Sequence, residues 1–171
     1  MLPEIKTILY ATDLSMNAAF AFRYAVYLAK MSEAEIIILH VIEKVSPDAQ
    51  LALLAYLDKK DRVKAGEERL AQAIATIRKR LELFCQKEFG DEHCLAQGRI
   101  AVKVKEGYPA EEILRQVEKH DCDAVVMGAH EKGLRHTFLG SVAKSVLRRC
   151  RKPTFVVPLP EDEIDLSMHD D

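Results

Sequence analysis

The strongest constraint on the fold of this chain is the segment EIIILHVI at residues 35–42. Branched apolar residues occupy nearly every position, whereas a strand with one face in solvent alternates apolar and polar side chains. A strand of this kind is buried on both faces, which requires a parallel sheet covered by helices on each side. The segment therefore predicts an α/β domain.

Other short apolar runs extend this pattern along the chain. Four more strands are predicted, at residues 5–12, 98–105, 123–128 and 153–157. Helices are predicted from apolar residues at helical intervals over residues 18–29, 57–89, from 107 onwards and 141–150. Residues 47–56 fit either a helical turn or a mobile connection. Strands that alternate with helices imply βαβ crossovers, and hence a doubly wound, five-stranded parallel sheet with helices on both faces.

Composition limits the class of protein. Basic residues number 25 and acidic residues 27, but six of the acids lie in residues 161–171, so the preceding body is mildly basic. We expect one domain over residues 1–160 and a disordered acidic tail over 161–171, whose like charges repel. The chain has no run of 18 apolar residues and no signal-peptide pattern at its start, which predicts a cytoplasmic protein.

Cysteine spacing and charge patterning exclude further classes. The four cysteines show neither a C-x-x-C pair nor a metal-finger spacing, so we interpret them as reduced thiols in packing roles: Cys85, Cys94, Cys122 and Cys150. Basic residues of the long predicted helix are interspersed with acids, which is typical of a solvated face. Aromatic residues are not interleaved with these basic residues, so the sequence does not indicate nucleic acid binding.

The segment between the fourth strand and the last helix contains the residues of an anion site. Three glycines permit close backbone approach: Gly128, Gly133 and Gly140. A helix that begins near Ser141 directs unpaired N–H groups and its positive dipole end toward the preceding loop. Residues 130–152 hold seven basic residues and one acid, Glu131, which favours an anion electrostatically. Loop closure and helix capping are the alternative interpretation.

Four segments together resemble the universal stress protein family. They are ILYATDLS at the first strand, IIILHVIE at the second, DAVVMGAHEKG at the fourth and LGSVAKSVLRRCRKPTFVVP at the end. Their order and spacing agree with the family from about residue 4 to 158. The resemblance implies a sheet in the order 3-2-1-4-5, of the adenine nucleotide alpha-hydrolase-like kind, and a homodimer joined through the fifth strands.

Some members of the family bind ATP with the pattern G-x2-G-x9-G-[ST]. The resemblance implies a nucleotide-binding set drawn from the ends of three strands and the loop before the last helix: Ala11, Thr12, Asp13, Val41, Met127, Gly128, His130, Gly133, Gly140, Ser141 and Val142. Within this set, Asp13 would contact the ribose, and the adenine would lie against the ends of the first two strands. The phosphates would meet backbone N–H groups and a hydroxyl at Gly140, Ser141 and Val142.

The chain departs from the family pattern in the phosphate loop. Glu131 stands where the second glycine is expected, and eight residues rather than nine separate it from Gly140. A carboxylate there repels a triphosphate unless Lys132 or Arg135 neutralises it. Two interpretations therefore stay open: an adenine nucleotide site, or a nucleotide-free module that binds another protein. An adenylating enzyme is disfavoured, because the first strand lacks the serine- and glycine-rich loop of that class.

Several polar residues also have a structural interpretation. Asp13 lies where a carboxylate caps the first helix. We interpret His40, inside an apolar strand, as a hydrogen-bonded core residue, and Ser141 as a helix cap because no Ser/His/Asp arrangement accompanies it. No metal site is predicted, since the donors of the loop lack a fixed geometry.

The sequence as a whole predicts a cytoplasmic, homodimeric stress-response module. It is expected to bind an adenine nucleotide, ATP or AMP, at the switch point of the sheet between the first and fourth strands. ATP would bring magnesium with it, and no permanent cofactor is expected. Any hydrolysis would be slow, since no general base or metal-holding carboxylate is evident beyond Asp13 and Glu131. The protein partner of the nucleotide-free alternative is unknown, and neither nucleic acid nor a membrane is expected as a partner.

Overall fold

The computed structural model describes residues 3–44, 59–89, 98–129 and 139–158. Five strands lie in these ranges: β1 (Thr7–Thr12), β2 (Glu35–Glu43), β3 (Ile100–Gly107), β4 (Ala124–Gly128) and β5 (Thr154–Val157). The helices in the same ranges are α1 (Met16–Ser32), α2 (Lys59–Phe89), α3 (Pro109–Lys119) and α4 (Ser141–Arg149). The predicted alternation of strands and helices is confirmed.

The strands form one parallel sheet in the order β3-β2-β1-β4-β5, which confirms the predicted order. β1 lies in the middle, where Leu9 pairs in register with Ile37 of β2 and Val125 of β4. The strand order changes direction at β1, so the connections leaving β1 and β4 diverge and open a crevice at the carboxyl ends of the strands. The candidate residues at the strand ends lie at this edge of the sheet.

Alternate residues of β2 supply both hydrophobic cores. Ile36 and Ile38 lie in the core covered by α1 and α2. Ile37 and Leu39 lie in the core covered by α3 and α4, on the opposite face of the sheet. Each of the four side chains is at most 7% exposed. The continuous apolar run of this strand is therefore explained by helices on both faces.

The predicted bounds of β3 are wrong at both ends, and β1 begins at Thr7 rather than at residue 5. β3 was expected over residues 98–105, but it begins at Ile100 and ends at Gly107. Gly98 has a φ of 67°, a left-handed conformation that places it in the turn before the strand. The strand then continues because its pairing with β2 extends as far as Gly107 opposite Glu43.

Other predicted features are confirmed or lie beyond the described ranges. The long helix expected over residues 57–89 is present as α2. Residues 47–56 and the acidic tail at 161–171 lie outside the described residues. No helix within the described ranges is long and apolar enough to cross a membrane.

The cysteines in the described ranges are free thiols, as predicted. Cys122 is buried and Cys150 is half-buried. Burial raises the pKa of the Cys122 thiol to about 11, so this thiol stays protonated at neutral pH. Cys94 and the side chain of Cys85 lie outside the residues described.

Candidate functional site

A cavity of about 420 Å³ opens at the carboxyl ends of β1, β2 and β4. The strand ends form its floor, and the first turns of α3 and α4 form two of its sides. The volume lies within the range of small-molecule sites, roughly 300–1,000 Å³. Eight of the eleven residues predicted for nucleotide binding line it: Ala11, Thr12, Asp13, Val41, Met127, Gly128, Gly140 and Val142.

The three other predicted residues have different outcomes. Ser141 is the first residue of α4 and does not line the cavity. Its predicted role as a helix cap is wrong, because Gly140 occupies the N-cap position. His130 and Gly133 lie outside the described residues.

Local hydrogen bonds determine the path of the loop that joins β1 to α1. The Thr12 hydroxyl oxygen accepts from the Leu14 N–H at 3.0 Å, and Asp13 Oδ1 accepts from the Ser15 N–H at 2.9 Å. The Ser15 hydroxyl oxygen accepts from the Ala18 N–H at 3.3 Å, so Ser15 is the N-cap of α1. The capping interpretation of Asp13 is therefore wrong. Its exposed carboxylate is instead held at the mouth of the cavity by its own loop.

His40 is a lining residue that the sequence interpretation missed. Its Nδ1 lies 2.8 Å from the backbone oxygen of Thr12, so the predicted hydrogen bond is present. The core assignment is wrong, because the residue is half-buried, lies opposite Thr12 at the last residue of β1, and lines the cavity. A carbonyl oxygen only accepts, so Nδ1 carries the proton, and in the neutral ring Nε2 is then an acceptor.

Three further lining residues were indicated by no sequence motif. Pro109 and Ile113 of α3 line the cavity, together with Glu43 at the end of β2. The apolar face of α3 was visible in the sequence, but nothing in it showed that Pro109 and Ile113 line this cavity. Leu39 and Ile113 join Met127 in an apolar wall that suits a planar ring.

The N-terminus of α4 faces the same cavity. Gly140 has extended backbone geometry (φ −58°, ψ 158°), and its N–H donates to the oxygen of Ala129 at 2.8 Å. The first turn of α4 contains no acidic residue. The positive end of the helix dipole is therefore not neutralised by a carboxylate of its own turn, which favours an anion there.

The cavity thus combines an apolar wall, an exposed carboxylate and a helix N-terminus. A heteroaromatic ring, a hydroxylated sugar and an anion are the groups that these three features accommodate. Within the described ranges, no three His, Cys, Asp or Glu side chains form a metal-binding group.

The fold and the cavity define a doubly wound α/β protein with a candidate small-molecule site at the switch point of its sheet. The model of the universal stress protein family matches residues 4–158. The universal stress protein MJ0577 of Methanocaldococcus jannaschii is 31% identical over 160 residues, which cover 89% of this chain and 94% of the relative. The chain belongs to the universal stress protein family.

Solved structures agree with this assignment. The structure of MJ0577 is 28% identical with a TM-score of 0.62 and covers 93% of this chain and 99% of that one. A universal stress protein in complex with cAMP is 23% identical with a TM-score of 0.60, over 91% of this chain and 98% of its own. The fold is therefore the adenine nucleotide alpha-hydrolase-like fold shared by these proteins.

Proposed function

We propose that this universal stress protein binds an adenine nucleotide, ATP or AMP, in the cavity at the carboxyl ends of β1, β2 and β4. The observation that carries the proposal is the convergence of an apolar wall, the Asp13 carboxylate and the N-terminus of α4 on one cavity. The adenine lies between Ala11, Val41 and Met127, and the ribose hydroxyls donate to Asp13. The phosphates meet the backbone at Ser141 and Val142, beside Gly140, whose own N–H donates to Ala129. His130 and Gly133 belong to the same proposed set.

A structural neighbour supports the choice of ligand. The universal stress protein solved with cAMP shares this fold, so the fold can accommodate an adenine nucleotide. The proposed role is binding rather than turnover, with magnesium accompanying ATP and any hydrolysis slow.

The proposed domain extends over residues 1–160, and the acidic tail at residues 161–171 lies outside it.

The proposed assembly is a cytoplasmic homodimer paired through β5. This strand is at the edge of the sheet, and Phe155 on it is 40% exposed. An unpaired strand edge with an exposed aromatic residue favours pairing with a second copy. Sedimentation velocity at micromolar concentration tests this, with dimers expected for the natural chain and monomers for Phe155→Glu. Tyr27→Glu, at an exposed position of α1, is the control.

The test of nucleotide binding is calorimetric titration of nucleotide-stripped protein with ATP and with AMP, each with and without magnesium. Saturable binding is expected. Gly140→Leu should abolish it, because a side chain at the N-cap of α4 blocks the approach of a phosphate to the backbone. Gly66→Leu is the matched control, since Gly66 is exposed and a Cβ added there meets no atom within 4 Å. Thermal unfolding of both variants separates lost binding from lost folding.

A nucleotide-free interaction module is the second candidate. It is favoured by Glu131, whose carboxylate lies in sequence between Gly128 and Gly140 and repels a triphosphate. Absence of heat and of thermal stabilisation at millimolar ATP and AMP would support this candidate and contradict the first. Binding of a protein partner that Gly140→Leu leaves intact would support it further.

A further inference from the structure

Leu14, next to Asp13, has a backbone conformation that needs external support. Its φ of 65° lies in the left-handed region, which costs free energy for a residue with a branched side chain. Its N–H donates to the Thr12 hydroxyl oxygen at 3.0 Å. Its carbonyl oxygen accepts a hydrogen bond from the guanidinium group of Arg80 on α2, which is 66 residues away in the sequence. Both backbone polar groups of Leu14 are thus engaged.

The position of Arg80 follows from how α2 packs. Ile77, one turn earlier on the helix, is 3% exposed and belongs to the core beneath α1 and α2. Arg80, Ile77 and Leu14 line one small cavity of about 70 Å³ on the face of the sheet opposite the candidate nucleotide site. The buried Ile77 therefore anchors α2 where the exposed Arg80 reaches the loop.

We propose that Arg80 is a positioning residue for Asp13. By holding the Leu14 carbonyl, the guanidinium group keeps the loop in the conformation that directs the Asp13 carboxylate to the ribose hydroxyls. A charged donor makes a stronger hydrogen bond to a carbonyl than a neutral donor does. The N–H groups of the planar guanidinium also point in fixed directions, which restrains the orientation of the carbonyl. This inference rests on the proposed nucleotide site, and it adds a residue from outside that site to the determinants of its affinity.

The experiment compares Arg80→Gln with Arg78→Gln, which makes the same chemical change at an exposed position of the same turn. Each variant is titrated with ATP and with 2′,3′-dideoxy-ATP, which lacks both ribose hydroxyls. Arg80→Gln should weaken ATP binding about three- to tenfold, the range expected for one partly exposed charge-assisted hydrogen bond, and leave dideoxy-ATP binding unchanged. Arg80→Lys should restore part of the loss. Arg78→Gln should bind both nucleotides as the natural chain does.

The outcomes separate this inference from the function on which it rests. Equal losses for ATP and dideoxy-ATP would mean a general structural role for Arg80 and would overturn the inference, as would an Arg80→Gln variant with unchanged ATP affinity. A natural chain that binds neither nucleotide would overturn the proposed function, and the inference with it. Amide hydrogen exchange at residues 12–15 gives an independent reading, because Arg80→Gln should accelerate exchange there and Arg78→Gln should not.

Discussion

The two ends of β1 use an aspartate in opposite ways. At the amino end, Asp123 Oδ2 accepts hydrogen bonds from the backbone N–H groups of Lys6 at 2.8 Å and Thr7 at 3.0 Å. At the carboxyl end, Asp13 accepts from the N–H of Ser15 within its own loop and stays exposed at the cavity. The first carboxylate joins the start of β4 to the start of β1, whereas the second faces the candidate ligand site.

The difference follows from the direction of the strands. The amino ends of parallel strands present N–H groups, which a carboxylate can satisfy directly. The carboxyl ends present carbonyl groups, so the donors for an anionic ligand come from the helices that begin there. One end of the sheet can therefore be closed by its own side chains, while the other is left open for a ligand.

The largest expected effect is on stability and comes from removing the Asp123 hydrogen bonds at the amino end of β1. Asp123→Ala removes an acceptor from two backbone N–H groups and should lower the free energy of unfolding by about 3 kcal/mol, the sum expected for two charge-assisted hydrogen bonds. Urea unfolding measures this, with Glu35→Ala, an exposed acid at the start of β2, as control. Equal stability of the two variants would mean that Asp123 does not hold this end. Nucleotide affinity of the folded fraction should not change.

At the carboxyl end, the expected effect is on binding. Asp13→Asn keeps an oxygen that can accept from the Ser15 N–H but loses the charge that holds the ribose hydroxyls. ATP affinity should fall about tenfold, which corresponds to about 1.4 kcal/mol. Calorimetry with Glu35→Gln as the charge-matched control measures this. The contrast between the two aspartates fails if Asp13→Asn lowers the stability as much as Asp123→Ala and binds ATP normally.

A smaller effect is expected from the cap of α1. Ser15→Ala leaves the Ala18 N–H without its side-chain acceptor and should lower the free energy of unfolding by about 1 kcal/mol. Ser15→Asn retains a capping oxygen and should recover most of that loss in the same urea titration. If the two variants are equally unstable, the hydroxyl does not act as a cap.

The smallest effect is expected at the side chain of Lys6. Asp123 contacts the backbone of Lys6, while the Lys6 ammonium pairs with Glu4 at 2.8 Å in solvent. The hydrogen bond from Lys6 holds the pKa of Glu4 below its ordinary value of 4.5. The contribution of the pair is thus present above pH 4.5 and is lost as the pH falls through the lowered pKa. Lys6→Ala removes this contribution, so stability at pH 7 should fall by less than in any variant above, because the pair is exposed. The natural chain and the variant should become equally stable as the pH falls through the lowered pKa of Glu4. A loss at pH 7 as large as that of Ser15→Ala, or a difference that persists at low pH, would contradict this.

Strands with strong local patterns were predicted most accurately. β2 differs from its predicted bounds by one residue, because burial on both faces leaves nearly every position apolar. β3 lies at the edge of the sheet and alternates apolar residues with lysines, so its sequence does not mark where the pairing begins or ends. Those limits are set by the register with β2.

The residues of the candidate site also divide into those that local sequence marks and those that it does not. Thr12, Asp13 and Gly140 were predicted because each stands at a strand end or a helix start, which local sequence marks. Ile113 was not, because an apolar helix position carries no sign of the cavity that it will face. The sequence placed His40 inside a strand, but it did not show that His40 pairs in register with Thr12, the last residue of β1, and lines the cavity.

The sequence by itself determined the alternation of strands and helices, the family and the nature of the residues at the strand ends, because periodicity and end signals are local. Only the tertiary structure decided that Asp123 closes one end of β1 while Asp13 faces the cavity, and that Arg80 reaches Leu14. The physical reason is that these contacts join residues 66 or more positions apart, or depend on which donors remain unpaired after the sheet has formed.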